Sequence, residues 1–290
     1  MKGIILAAGK GTRMYPMTLP VCKPLIPVYD KPLIYYPMAV LLQAGIKDIL
    51  IIVPPDEMYP FIKLFADGSD LGLNVSYRVQ KIQRGIADAF IIGKTFIGAD
   101  DVCLILGDNI FYGETLDTSL HKACANSGAT IFGYYVEDPR PFGVVELDKN
   151  GKAISIEEKP SNPKSHYIVP GLYFYPNSVV RIAEQVRPSA RGELEITSIN
   201  NIYLEQGELN VVPLDKTLTW LDAGSAESLL LSAQTVMEIQ KSTGCLVACL
   251  EEIAYRMGYI TMEQLADIGA NMKNTAYGQH ILAFCKSVMI

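Results

Sequence analysis

Lys2-Gly3-Ile4-Ile5-Leu6-Ala7-Ala8-Gly9-Lys10-Gly11-Thr12-Arg13 opens the chain with a short apolar run that stops in a glycine-bearing turn. An apolar run of this length, bounded by glycine, reads as a buried β-strand. The turn after it lets backbone amides approach phosphate oxygens closely, and Arg13 adds charge. It is not a P-loop: Gly11 follows Lys10, where a serine or threonine is required, and GxGxxG is missing too. A purely structural turn therefore stays open.

Outward from that stretch, Ile49 to Val53, Val75 to Val79 and Val102 to Leu106 repeat the same short, β-branched texture, with helix-like segments between them. Near-continuous apolar strands alternating with helices predict an α/β fold with a mostly parallel central sheet covered on both faces. Ligands of such sheets bind at the strands' C-terminal ends. From about Ala129 the pattern becomes strands with turn signals: Thr130 to Val136, Gly143 to Leu147, Ala153 to Glu157, Gly171 to Tyr175 and Leu209 to Pro213. Asp148-Lys149-Asn150-Gly151 reads as a hairpin turn, because Asn-Gly tolerates positive φ. This part is expected to extend the sheet and wall a pocket. From Ser225, an N-cap candidate, the sequence reads as helical, with Leu229, Ala233, Val236 and Ile239 on one face. The expected division is a catalytic core over 1–222 and a C-terminal helical region over 223–290.

The 290 residues are 49% hydrophobic and 19% charged, which suits a packed core and excludes a mainly disordered chain. A net charge of −6 argues against nucleic acid as a partner, though not against a single nucleotide. The six cysteines form no CxxC pair and are expected to be reduced, packed thiols. The opening apolar run is too short for a signal peptide, and no run approaches a bilayer span, so a cytoplasmic protein without membrane contact is expected.

Candidate chemistry sits at strand ends. Lys23, beside Pro24, supplies a point charge for a polyphosphate when taken together with Arg13; alone it would read as a surface lysine. Asp108 and Asp222 each follow an apolar run and could jointly hold Mg²⁺, leaving its other positions to water and phosphate; singly, each reads equally well as a turn or cap acid. At Glu157-Glu158-Lys159, a carboxylate for sugar hydroxyls stands next to a cation for phosphate, with a surface charge cluster as the plainer reading. Gln80, and Gly85 ahead of an expected helix from Ile86 to Ile92, offer an amide and an open backbone for a pyrimidine edge. Tyr112, Tyr173 and Trp220 are candidates for a sugar pocket or simply core. His121, His166 and His280 have no triad or ligand spacing, which leaves a serine or cysteine nucleophile without a base.

Read together, the opening glycine turn, Lys23-Pro24-Leu25-Ile26-Pro27, Asp30 to Pro37, Leu106 to Gly113, Glu157-Glu158-Lys159-Pro160, Gly171 to Tyr175, Ala190 to Thr197 and Trp220-Leu221-Asp222 resemble the glucose-1-phosphate thymidylyltransferase family in order and spacing. The resemblance covers nearly the whole chain, the length fits the family's short, homotetrameric form, a dimer of dimers, and the resemblance implies a Rossmann-like nucleotidyltransferase core with a mixed, mostly parallel central sheet. It implies transfer of dTMP from dTTP to glucose 1-phosphate with Mg²⁺, in deoxysugar synthesis of the dTDP-rhamnose type. By matched position it implies Leu6, Gly9, Gly11, Thr12, Arg13, Lys23, Gln80, Gly85 and Asp108 on the nucleotide and Asp108 and Asp222 on the metal. Gly143, Glu158, Lys159, Val169 through its backbone and Tyr173 fall on the sugar phosphate, beside the aromatic candidates Tyr112 and Trp220, and Arg13, Lys23, Asp108 and Lys159 are the catalytic set. A regulatory nucleotide-sugar site is implied at Tyr112, Gly113, Glu252, Ile253 and Arg256. The chain departs from the family pattern at Ala8, Cys22, Phe142, Asp117 and the Asp222-Ala223-Gly224-Ser225 run. The competing readings are a UTP-dependent uridylyltransferase and a nucleotide-sugar sensor without turnover.

Overall fold

Strands that are apolar on both faces need cover on both faces, and the order of elements supplies it. The computed structural model describes residues 1–288. Its strands are β1 (Lys2–Leu6), β2 (Pro27–Val28), β3 (Lys31–Pro32), β4 (Asp48–Val53), β5 (Asn74–Val79), β6 (Val102–Leu106), β7 (Asn109–Tyr112), β8 (Ala129–Tyr135), β9 (Gly143–Leu147), β10 (Ala153–Glu158), β11 (Tyr167–Ile168), β12 (Leu172–Tyr175), β13 (Leu209–Pro213) and β14 (Thr219–Asp222). Its α-helices are α1 (Tyr35–Gln43), α2 (Met58–Phe65), α3 (Asp88–Ile97), α4 (Leu116–Ala125), α5 (Val179–Gln185), α6 (Ile196–Glu205), α7 (Ala226–Thr243), α8 (Leu250–Arg256), α9 (Met262–Asn271) and α10 (Ala276–Val288).

The main sheet runs β10-β9-β11-β8-β12-β6-β1-β4-β5, with β13 added on β8. Strands β5, β4, β1 and β6 are parallel, joined by crossover helices, as the opening third of the sequence predicts. Strand β12 enters antiparallel beside β6 and turns the sheet toward the antiparallel β8, β11, β9 and β10. Side chains alternate between the two faces. Ile5, Ile49, Ile51, Val53 and Ile105 point into the layer built by α1, α2 and α8, while Ile4, Leu50, Ile52, Val102 and Leu104 point into the layer of α3, α5 and α6. All ten are completely buried, each contributing roughly 1.5–3 kcal/mol against the unfolded chain.

Two short ladders escaped the sequence pattern. Strands β7 and β14 pair antiparallel beneath the end of β6, and β2 pairs with β3. Both are too short to show a period. The helix expected over Ile86 to Ile92 instead begins at Asp88 and continues to Ile97, because the backbone of 84–87 is engaged with Leu194. The hairpin after β9 forms as read: Asp148 accepts from the Asn150 and Lys152 amides at 2.8 and 2.9 Å. All six cysteines are free. Among the described residues no helix is long and apolar enough to cross a membrane.

Helix α7 starts where the sequence places it. Ser225 Oγ accepts from the Ser228 amide at 3.1 Å and Ser228 Oγ accepts from the Ser225 amide at 2.9 Å, closing a capping box. Leu229 and Val236 then pack with Met14, Tyr36 and Ile110, so this helix braces the ground beneath the glycine turn. Ser225→Ala should lower stability by about 1 kcal/mol, a melting shift of roughly 2–4 °C by calorimetry.

Candidate active site

The glycine turn leaves the C-terminal end of β1, the strand in the middle of the parallel group. Leu6 closes that strand and its carbonyl accepts from the Gly107 amide at 2.9 Å, which fixes the β1 turn against the turn after β6. Gly9 is exposed in the loop; Gly11 precedes a short 3₁₀ turn over Thr12–Met14 and its carbonyl accepts from the Thr18 hydroxyl at 2.7 Å. Arg13 projects from that turn into a cleft of about 270 Å³.

Asp108 lies at the tip of the turn from β6 to β7, and Asp222 ends β14, the partner of β7. The ladder places Asp222 opposite Asn109, and the Ala223 amide donates to the Asp108 carbonyl at 3.1 Å. Both carboxylates line the cleft. Lys23 is buried at the foot of a second 3₁₀ turn and its ammonium pairs with Asp108. Burial, reinforced by the neighbouring Asp108, pushes the Asp222 carboxyl up to about 6, against the opposing pull of Lys23, Arg13 and Lys159.

The sugar-side expectations gather on the opposite wall. Gly143, Glu158, Lys159, Val169, Tyr173 and Trp220 line the same cleft as Arg13, Asp108 and Asp222. Lys159 has a φ of +48°, a left-handed conformation that costs a lysine roughly 1–2 kcal/mol, while its amide is tied to the Phe142 carbonyl at 3.0 Å. Glu158 accepts from Thr197 at 2.6 Å and meets Arg191 at 3.2 Å. The Val169 amide is already used on the Gly143 carbonyl at 2.8 Å, so its backbone offers a ligand only the carbonyl. Tyr173 is buried, and its hydroxyl is held in the neutral form by burial, then by Glu158 and Asp108.

Gln80 and Gly85 sit on the other flank of the glycine turn, outside this cleft's lining. The segment between them is latched to the turn by Gln83, which donates to the Ala8 carbonyl at 2.5 Å. Gly85 has a φ of +110°, and a Cβ there would lie 2.5 Å from the Leu194 carbonyl oxygen; only glycine admits that crossing.

Tyr112 does not line the cleft. Its hydroxyl is near Thr243 and Cys245 at the far end of α7, so a sugar contact is not available to it in this arrangement. Gly113 packs against Leu218, whereas Glu252, Ile253 and Arg256 are on α8. Arg256 pairs with Glu252 at 2.7 Å, and no hydrogen bond or ion pair joins them to Tyr112 or Gly113 among the described residues.

Three residues without an assigned role in the sequence prove central. Asn109, 3% exposed, donates to Asp108 at 3.0 Å and accepts from the Gly171 amide at 3.0 Å and from Trp220 Nε1 at 2.8 Å, a single amide joining the acid pair to the aromatic wall. Thr197 and Arg191 hold Glu158. Their segment drew attention only as part of a longer motif, since a hydroxyl or guanidinium far along the chain gives no local sign of what it faces.

A family model described as nucleotidyl transferase matches residues 2–239. A glucose-1-phosphate thymidylyltransferase of Neisseria meningitidis is 52% identical over 287 residues, covering 99% of this chain and 100% of its own. One from Mycolicibacterium smegmatis is 51% identical over 97% of this chain and 98% of its own. A crystal structure from Bacillus anthracis, provisionally described as a glucose-1-phosphate thymidylyltransferase in complex with sucrose, superposes with a TM-score of 0.75 at 40% identity, covering 81% of this chain and 94% of that one. A UDP-glucose pyrophosphorylase complexed with UDP-glucose shares the fold, with a TM-score of 0.73 at 22% identity over 82% and 98% of the two chains.

A carboxyl whose folded pKa is raised from 3.8 to about 6 stabilises the protein fully below the lower value and loses that contribution as pH rises through the upper one. Without metal, Asp222→Asn should therefore match wild type at about pH 4 and exceed it at about pH 8, by on the order of 2 kcal/mol, measured by thermal melts across the range.

Proposed function

The chain belongs to the nucleotidyl transferase family, among its glucose-1-phosphate thymidylyltransferases, and on that premise we propose that it transfers dTMP from dTTP to glucose 1-phosphate, giving dTDP-glucose and pyrophosphate. The observation that carries the reading is one cleft lined by the cations Arg13 and Lys159 and by the acids Asp108, Asp222 and Glu158, with Lys23 paired to Asp108.

A non-bridging oxygen of the sugar phosphate attacks the α-phosphorus of the nucleotide. The new P–O bond forms as the bond to the bridging oxygen of the β-phosphate breaks, and pyrophosphate leaves with that electron pair. The attacking oxygen is already anionic, so no protein base is needed; the protein's work is to hold two polyanions in line and to neutralise charge as it builds. Arg13 and Lys23 act on the nucleotide phosphates and Lys159 on the sugar phosphate. Glu158, fixed by Thr197 and Arg191, accepts from sugar hydroxyls, while Trp220 and Tyr173 supply the walls.

Asp108 and Asp222 fit a Mg²⁺ ion by their chemistry. They are two hard oxygen donors on one cleft, and no third histidine, cysteine or acid is grouped with them among the described residues, which leaves most of the coordination sphere to water and phosphate. The ion, when bound, withdraws charge from the phosphate oxygens. Both carboxylates must be unprotonated to hold it, and Lys23 must share Asp108 with it. The same reading takes the protein as a cytoplasmic homotetramer.

Pyrophosphate release with dTTP and glucose 1-phosphate is the direct test, because a sensor that binds without turnover releases none. Lys23→Ala should lower kcat by roughly 10²-fold or more, as for loss of one preorganised electrostatic contact; a near-normal kcat would remove Lys23 from the mechanism. Asp108→Asn should abolish the metal-dependent rate, and calorimetric titration should show loss of metal-nucleotide binding by a folded protein.

A further inference from the structure

Asp88 is almost completely buried, 1% exposed, at the first position of α3, and the reaction as described gives it no task. Its carboxylate has two partners. Oδ1 takes the Arg84 guanidinium at 2.6 Å and Oδ2 accepts from Gln80 Nε2 at 3.0 Å. A carboxylate in an ion pair is an acceptor only, so the end of the Gln80 amide that faces it must be the NH₂. The opposite end is thereby fixed. Gln80 Oε1 accepts no hydrogen bond among the described residues, and it is not among the buried atoms left without a partner, so it keeps contact with solvent. Gln80 itself is held by its amide, which donates to the Val53 carbonyl at 2.9 Å. The segment that follows it is latched to the glycine turn through Gln83 and Ala8.

We propose that Asp88 is a specificity-determining positioning residue: by holding the Gln80 NH₂ it presents only a carbonyl oxygen to the nucleotide's base and so selects pyrimidines that carry N3–H. This rests on the reading of Gln80 as a base contact. Thymine and uracil offer N3–H, a donor that Oε1 accepts. Cytosine has a bare N3 there, an acceptor facing an acceptor. A free glutamine would escape that clash by rotating its amide half a turn, putting NH₂ on N3 and the carbonyl near the 4-amino group. Here rotation would turn Oε1 onto the Asp88 carboxylate, two acceptors with no proton between them in a buried place, and is blocked. The device rejects cytosine and is indifferent to the methyl group that separates thymine from uracil.

The test is the ratio of kcat/KM for dTTP to that for dCTP, with glucose 1-phosphate as the common acceptor. Asp88→Asn frees the amide to adopt either orientation, and the ratio should fall roughly tenfold or more, mainly through a lower KM for dCTP. Asp88→Ser, whose hydroxyl both donates and accepts, should do the same and serves should the asparagine variant fail to fold by thermal melt. Arg84→Ala removes the ion pair but leaves the carboxylate on Gln80, so it should keep the ratio within about twofold; a merely structural role for the cluster would make both substitutions alike. Gln80→Ala separates the two layers of the argument. If it raises the KM for dTTP while folded Asp88 variants keep the wild-type ratio, the role of Asp88 is refuted alone. If it leaves the KM for dTTP unchanged, Gln80 does not touch the base and the proposal falls with that reading.

Discussion

Two carboxylates brought to one point at the end of a sheet are the constraint around which this molecule is arranged. Asp108 and Asp222 come from distant parts of the chain, and what unites them is the short ladder of β7 and β14, closed by the Ala223 amide on the Asp108 carbonyl. Like charges in a place of reduced solvation oppose folding; burial and Asp108 together hold the Asp222 carboxyl at about 6. The response is visible in the sequence's cations: Lys23 pairs with Asp108, and Arg13 and Lys159 reach the same cleft from other elements. A poorly solvated pair of like charges that costs stability on its own has the sign expected of a binding site, since structural cores avoid it.

The cleft is also one site and not two because of a strap. Leu194 receives Gly85 at close approach, donates its amide to the Arg84 carbonyl at 2.5 Å and accepts from the Ala87 amide at 3.1 Å. Its neighbours Arg191 and Glu195 meet at 2.8 Å, and Arg191 continues to Glu158. Backbone bonds at Leu194 and the Arg191 ion pairs thus tie the flank where Gln80 and Asp88 sit to the wall where Glu158 and Lys159 sit. A connection of this kind limits how far the two sides can separate.

The parallel half of the fold was legible because β1, β4 and β6 are short apolar runs, each followed within three residues by glycine or proline, and the start of α7 because Ser225 stands ready as an N-cap. The cations and acids were legible through their places at strand ends. What escaped was whatever depends on pairing across space. β7 and β14 are four residues each, too short for a period, yet they set the acid pair. Asn109 stood next to Asp108 in plain view, but nothing local shows that its amide reaches both Gly171 and Trp220. Tyr112 reads as a sugar-pocket candidate by its aromatic side chain alone, and in the structure that side chain lies toward Thr243 and Cys245 instead. Asp88 lay inside an expected helix, where an acid reads as an ordinary first-turn residue.

The histidines close the chemical argument. His166 is stacked on Tyr135, with Nδ1 3.1 Å from the Val136 carbonyl, and His280 faces Glu252; neither lines the cleft, nor does His121 on α4. The buried thiols Cys22, Cys103 and Cys249 are pushed upward from their ordinary range, chiefly by burial, so none is poised as a thiolate. A covalent route through a histidine-activated serine or cysteine would need groups that this cleft does not contain. A reaction whose nucleophile arrives with the substrate, already charged, needs only what the cleft does contain: cations and acids at fixed positions on walls held together by backbone and ion-pair contacts.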